Sequence, residues 1–213
     1  MKNSVKFWDN KIKSNRTTLF QSPIYKMKNK IVVSEISKLK GNLLDLGFGY
    51  GYLEQKVIDK NLNLVLFGID ISHEAVKRAN VNFKGTFIQQ KLGSKLPFKS
   101  GFFDVICALD VLEHLNSIVL RRVMDEIFRV MNKQAKLIVS VPLNESKIDS
   151  MNNQHLQIFT EKKLASLLNA SGFQITKSKY LFAYNKFFWM KTMVSKLFQI
   201  GIPNLLIVIV TKK

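Results

Sequence analysis

Leu43-Leu44-Asp45-Leu46-Gly47-Phe48-Gly49-Tyr50-Gly51 is the stretch on which the fold turns. A short apolar run carrying one acid passes directly into three alternate glycines, the pattern of a buried strand ending in a tight turn. Glycines so placed let the backbone turn sharply and approach a ligand where a Cβ would clash. The spacing is G-x-G-x-G, whereas the dinucleotide fingerprint is G-x-G-x-x-G, and Tyr52 stands where its third glycine would be.

Working outward, strand-like and helix-like segments alternate. Residues 52–60 predict a helix and 64–69 a second strand closing at Asp70. Ser72 caps a helix over 73–80, with Glu74 in its first turn. Residues 86–89 and 103–109 read as further strands, 119–131 as an amphipathic helix, and 136–141 as a fifth strand ending at Pro142. Thr160 caps a helix through Ala170, Gly172 supplies the left-handed position after it, and 173–179 and 205–211 are two more strands. Such alternation gives a parallel α/β sheet with helices on both faces, whose ligands sit outside the carboxyl ends of the strands. Neither a repeat nor a flexible linker interrupts the chain, so one domain is expected over 1–213, with a lead-in at 1–40.

With 213 residues, 46% of them hydrophobic, the chain can bury a substantial core. Cys107, the only cysteine, lies in an apolar run and reads as an inert buried thiol. The first residues lack the apolar core of a secretion signal, and 202–210 is too short and interrupted to span a bilayer, so a cytoplasmic protein is expected. The net charge of +18 is unevenly spread. Residues 1–40 hold ten Lys/Arg against two acids and 161–213 hold nine against one, while 41–160 hold fourteen against twelve. Basic flanks attract nucleic acid, phosphorylated substrates or an anionic membrane, which adds peripheral association with the inner membrane face to the expectations. A Lys/Asn/Ile-rich proteome would produce the same drift with no partner.

Asp45, placed just before the glycines, would repel a pyrophosphate and suits the ammonium of an amino-acid-bearing cofactor. That contrast favours S-adenosylmethionine (SAM) over a nicotinamide. Asp70 lies 19 residues after Gly51, where a carboxylate can accept from both hydroxyls of a ribose. Together with Gly68-Ile69-Asp70-Ile71-Ser72, Leu96-Pro97-Phe98, Phe102-Phe103-Asp104, Asp110-Val111-Leu112-Glu113-His114-Leu115, Ser140-Val141-Pro142 and Ser171-Gly172-Phe173, the stretch resembles the class I SAM-dependent methyltransferases. The resemblance runs from about residue 41 to 179 and marks that span as the cofactor-binding core. It implies a Rossmann-like, doubly wound sheet of seven strands, mostly parallel with the last antiparallel. It also implies cofactor contacts at Asp45, Gly47, Phe48, Gly49, Gly51, Asp70, Ile71, Lys91, Leu92 and Leu109. Family members commonly carry an acid after the third strand for the adenine amino group; here Gln89-Gln90-Lys91-Leu92 has none, leaving a glutamine carbonyl and the backbone of Lys91 and Leu92.

Asp110, Glu113 and His114 have i, i+3, i+4 spacing and would share one face of a helix at the carboxyl edge. Two carboxylates and an imidazole suit a divalent cation, with His155 as a distant fourth ligand. The arrangement resembles the metal cluster of small-RNA 3′-end 2′-O-methyltransferases and ubiquinone-pathway O-methyltransferases, although related sequences without a metal carry it too. His114 is also the candidate general base, with Asp110 and His155 beside it; local hydrogen bonds that only orient the loop are the plainer alternative. Residues 187–200, within an insertion spanning 181–203, pattern as an amphipathic helix that packs on the core, lies on a membrane or closes over the substrate. Phe7, Trp8, Phe20 and Tyr25 among lysines suggest an N-terminal lid. The expected function is methyl transfer to an oxygen or nitrogen of a small or lipid-like metabolite. Methylation of RNA, or a catalytically silent cofactor-binding partner subunit, are the alternatives.

Overall fold

The computed structural model describes residues 3–14, 22–143, 145, 147, 151, 154–182 and 203–213. Seven strands form one sheet: β1 (Gly41–Leu46), β2 (Leu64–Asp70), β3 (Gly85–Gln89), β4 (Phe103–Leu109), β5 (Met131–Pro142), β6 (Phe173–Leu181) and β7 (Leu205–Lys212). Their order is β3-β2-β1-β4-β5-β7-β6, with β7 antiparallel to both its neighbours, as expected. β1 lies between β2 and β4, so the connections leaving β1 and β3 diverge and open a crevice at the carboxyl edge.

The helices are α1 (Val5–Lys13), α2 (Pro23–Ile36), α3 (Tyr52–Asp59), α4 (His73–Asn82), α5 (Ser117–Val130) and α6 (Glu161–Ala170). Alternate strand residues feed opposite faces: Leu44, Leu46, Ile106 and Ala108 pack with α5 and α6, while Leu43, Val105 and Cys107 pack with α1 to α4. That two-sided burial explains why the central strands read as continuous apolar runs. The expected helix 119–131 begins two residues earlier because Asn116 Oδ1 accepts from Val119 N at 2.9 Å, and Met131 belongs to β5 instead. The lead-in contains two helices that the sequence reading left without structure. Ser4 caps α1, and Pro23 at the first turn of α2 suits a position whose N–H has no intrahelical partner. α2 buries Val32, Val33 and Ile36 against the sheet. Among the described residues no helix is long and apolar enough to cross a membrane. The expected helix at 187–200 and Phe20 of the expected lid lie outside the described residues.

Gly68 sets the seat of the loop after β1. A Cβ there would stand 2.6 Å from Phe48 Cδ1 and 2.7 Å from Phe87 Cδ1, and these two rings pack edge to face beneath the loop. Gly68→Ala is therefore expected to lower the unfolding free energy by about 1–3 kcal/mol, the usual cost of overpacking, as read from urea denaturation.

Candidate functional site

The loop after β1 turns through left-handed backbone. Gly47 has φ of 72° and Gly49 of 55°, conformations that L side chains rarely adopt. A Cβ on Gly47 would press against Val111 Cγ2 at 2.7 Å, whereas one on Gly49 would meet nothing closer than Gly47 O at 4.0 Å. Gly49 is therefore a glycine for its backbone and leaves open space beside it. The loop is fastened to β2 by Gly47 N donating to Ile69 O at 2.7 Å and Gly49 N donating to Asp70 Oδ2 at 2.9 Å. Asp70 Oδ1 accepts from Ser72 N at 2.8 Å, and Ser72 Oγ caps α4 through Ala75 N.

Beneath the loop lies an acidic floor. Asp45 is 4% exposed, Asp70 7% and Glu54, from the first turn of α3, 0%. Burial, Glu54 and Asp70 lift the Asp45 carboxyl well above the ordinary carboxylate range. Burial lifts Glu54 to about 7, with Asp70 adding to the effect. Burial also raises Asp70, against the backbone N–H groups that hold its charged form. After β3, Gln90 N donates to Asp70 O at 2.9 Å, and Gln90 Nε2 donates to Lys95 O, which engages the donor end of that amide and leaves its acceptor end. Lys91 is exposed and Leu92 packs against the core.

The carboxyl edge of β4 departs from the expected helix face. Asp110 has a left-handed φ of 52°, and only Leu112–His114 form a short 3-10 turn. Asp110 is held by residues of other elements. Its Oδ1 accepts from Ser140 Oγ at 2.5 Å and its Oδ2 from Lys28 Nζ. Lys28, only 3% exposed, also lies over the Tyr25 ring at 3.7 Å. Burial would raise the Asp110 carboxyl, but the Lys28 ammonium and bonds from Lys28, Ser140 and Tyr25 outweigh it and hold the group below its usual range. The expected trio of Asp110, Glu113 and His114 is thus not one cluster. Glu113, His114 and His155 are brought together instead, with ligand atoms within 4.8 Å of one another.

In that trio Glu113 Oε2 is buried and makes no hydrogen bond, while burial and then Asp110 push its carboxyl well above normal. His114 Nδ1 lies 3.3 Å from Gln154 O and His155 Nδ1 2.5 Å from Glu145 Oε2. A carbonyl or carboxylate oxygen only accepts, so each Nδ1 carries a proton. Glu113 O accepts from Leu156 N and Gln157 N, which holds the loop carrying His155 against the 3-10 turn. Burial, reinforced by His155 and Lys11, lowers the His114 pKa to about 4, although the bond to Gln154 opposes it. His114 is therefore neutral at pH 7.

α1 runs across this edge. Trp8 meets the His114 ring edge-on at 4.8 Å, and Asn3 Nδ2 donates to His114 O and Gln154 O. Ser72 Oγ and Glu74 N donate to Asp9 Oδ1, and Tyr50 Oη donates to Lys11 O at 2.6 Å. Lys28 and Glu54 escaped the sequence reading, because a lysine or glutamate in a helix ordinarily marks a solvated face.

The model of a methyltransferase domain family matches residues 21–178. An uncharacterised Methanocaldococcus jannaschii protein is 28% identical over 143 residues, covering 66% of this chain and 58% of that one. The chain thus spans little more than half the length of that relative. A Haloferax volcanii methyltransferase solved in complex with the Trm112 methyltransferase activator superposes with a TM-score of 0.73 at 15% identity, covering 96% of this chain and 97% of that one. The Synechocystis magnesium protoporphyrin IX methyltransferase with bound S-adenosylhomocysteine (SAH) gives 0.65 at 18% identity, over 89% and 84% of the two chains. At such identities these two likenesses speak to the fold.

A buried neutral imidazole makes stability depend on pH. His114 ionises near 6.5 in the unfolded chain and near 4 in the folded one. Its contribution is complete above pH 6.5 and is lost as pH falls through that window, by about 2 kcal/mol at pH 5. The stability advantage of wild type over His114→Gln is expected to shrink by that amount between pH 7.5 and pH 5, measured by denaturant unfolding at each pH.

Proposed function

The chain belongs to the methyltransferase domain family, and on that premise we propose that it uses SAM, that the loop 47–51 and Asp70 seat the cofactor, and that the methyl acceptor enters between His114, His155 and α1. The observation that carries this reading is the meeting, at one sheet edge, of an open glycine loop, a buried acidic floor and a neutral histidine roofed by Trp8. Asp70 Oδ2 accepts from Gly49 N and Oδ1 from Ser72 N, and the lone pairs of a carboxylate leave capacity for a ribose hydroxyl. Asp45 faces the cofactor's ammonium. Gly47, Phe48, Gly49 and Gly51 shape the loop around it, Ile71, Lys91 and Leu92 serve the adenine side, and Leu109 closes the floor at β4. The electrophilic methyl comes from the cofactor's sulfonium, so the protein's task is chiefly to orient the nucleophile.

In this reading the acceptor is an oxygen or nitrogen nucleophile on a small or lipid-like metabolite. His114 Nε2 is in the state to take its proton. Asp110 acts as a positioning residue that keeps Lys28 in place, and His155 steadies His114 from the facing loop. α1 and Asn3 just before it serve as a lid whose contacts at Asp9, Lys11 and Asn3 span the crevice. Steep loss of RNA affinity with salt, together with methyl transfer to RNA, would favour an RNA acceptor. SAM binding without transfer to any acceptor class would favour a silent partner subunit, a role for which the Haloferax complex gives a reason to test an activator chain.

A second reading has its own observation. Glu113, His114 and His155 offer a carboxylate oxygen and two imidazole nitrogens close enough for one divalent cation, with the Glu145 carboxylate steadying the far side of His155. Lys28 already neutralises Asp110, so three ligands and not four are expected.

Two outcomes check these readings. Asp70→Ala should weaken SAM binding by about 1.5–3 kcal/mol for each charged-acceptor bond lost, measured by calorimetry. Exhaustive chelation should abolish methyl transfer, and magnesium or manganese should restore it, if the trio holds a metal; undiminished transfer after chelation leaves His114 as a metal-free base.

A further inference from the structure

Glu54 is a carboxyl for which methyl transfer has no evident use. It is completely buried, and neither of its oxygens makes a well-formed hydrogen bond within the protein. Its polar neighbour is the Asp45 carboxyl, within hydrogen-bonding reach, with Asp70 close enough to add repulsion. Two carboxyls bond one another only when a proton lies between them, and two buried carboxylates persist side by side only when a cation joins them. Among the described residues that act on the pair, none is a cation bonded to it. Asp70 faces the pair from β2 and Cys107, itself buried and neutral, from β4. Lys28 of α2 acts on Asp45 from a distance and is committed to Asp110, and Asp9 of α1 adds negative charge beside Asp70.

We propose that Asp45 and Glu54 form a proton-sharing carboxyl pair that reads the charge of the cofactor, keeping a proton in the empty site and releasing it to solvent when SAM binds. The proposal rests on the reading that the cofactor's amino-acid end lies over Asp45. SAM carries an ammonium, a sulfonium and a carboxylate, a net charge of +1, whereas SAH lacks the sulfonium and is neutral overall. The substrate form therefore draws a second negative charge from the floor and the product form does not. Because burial sets Glu54 near 7, the exchange falls at neutral pH. Product is held less firmly than substrate, which speeds cofactor turnover without any movement of the backbone.

Calorimetric titration of the full chain near pH 7, in two buffers of different ionisation enthalpy, counts the protons released. Wild type should release a substantial fraction of a proton with SAM and much less with SAH. Glu54→Gln should lose that release, and its preference for SAM over SAH should fall roughly tenfold, the equivalent of one pKa unit of charge interaction. An independent readout needs no variant: the infrared C=O band of a protonated carboxyl in the empty wild-type protein should disappear on adding SAM. Heats independent of buffer, release that persists in Glu54→Gln, or a band that SAM leaves unchanged would each overturn the pair. Asp70→Ala separates this from the cofactor seat. If it weakens SAM while Glu54→Gln still releases the proton, the seat stands and the pair falls; if it leaves SAM affinity intact, both fall.

Discussion

The carboxyl edge of the sheet hangs on the two bonds that Asp70 accepts. One comes from Gly49 N at 2.9 Å and the other from Ser72 N at 2.8 Å, so a single carboxylate ties the loop after β1 to the end of β2 and the first turn of α4. Bonds to a charged acceptor contribute about 1.5–3 kcal/mol each, which offsets the conformational entropy that a glycine loop loses on being fixed. The tie extends outward. Ser72 Oγ donates to Asp9 Oδ1, which anchors α1 over the same crevice. The first helix, the loop and the strand end are therefore bonded into one unit through Asp70, Ser72 and Asp9.

A second constraint sits across the crevice at Asp110. Its left-handed φ is one that a non-glycine residue holds only where its surroundings over-determine it, at a cost of about 1–3 kcal/mol. Here the surroundings are Ser140, whose carbonyl and hydroxyl both receive Asp110 N, and the buried ammonium of Lys28. The backbone turn that results ends β4 abruptly and starts the 3-10 turn that presents Glu113 and His114. Removing Lys28 alone would leave the partly buried Asp110 charge without its partner, an arrangement that costs stability. Thus a lysine from the lead-in helix holds the geometry of a loop some eighty residues downstream, by virtue of one ion pair.

The sheet was legible because its evidence is local and repeated. Residues 43–51, the acid at 70 and the apolar runs at 103–109 and 136–141 each report their own strand, and the two-faced burial follows from their lack of polar alternation. The lead-in was less so. α1 and α2 carry lysines through their apolar pattern, and their helical state depends on docking to the sheet as much as on propensity. At the site, Asp45, Asp70, His114 and His155 all arrive at one edge, but the sequence spacing misjudged which partners they meet. The i, i+3, i+4 rule assumes a helix, and one left-handed residue at Asp110 removes that assumption. Lys28 and Glu54 were hidden for a different reason: what makes them unusual is burial, and burial of a charged side chain is a tertiary fact with no signature in spacing.

That burial also changes what the composition means. A net charge of +18 suggests an anion-binding protein, an inference about the summed charge and not about any one site. Inside the crevice the sign reverses. Asp45, Glu54 and Asp70 are gathered beneath the loop and Glu113 lies beyond them, while Lys28, the buried lysine, is consumed by Asp110. Interactions of these buried carboxyls act over a few ångströms in a low-dielectric interior, where one nearby charge outweighs many solvated lysines. The excess positive charge of the composition and the buried acidic cluster therefore involve different side chains, and each can be altered by substitution without touching the other.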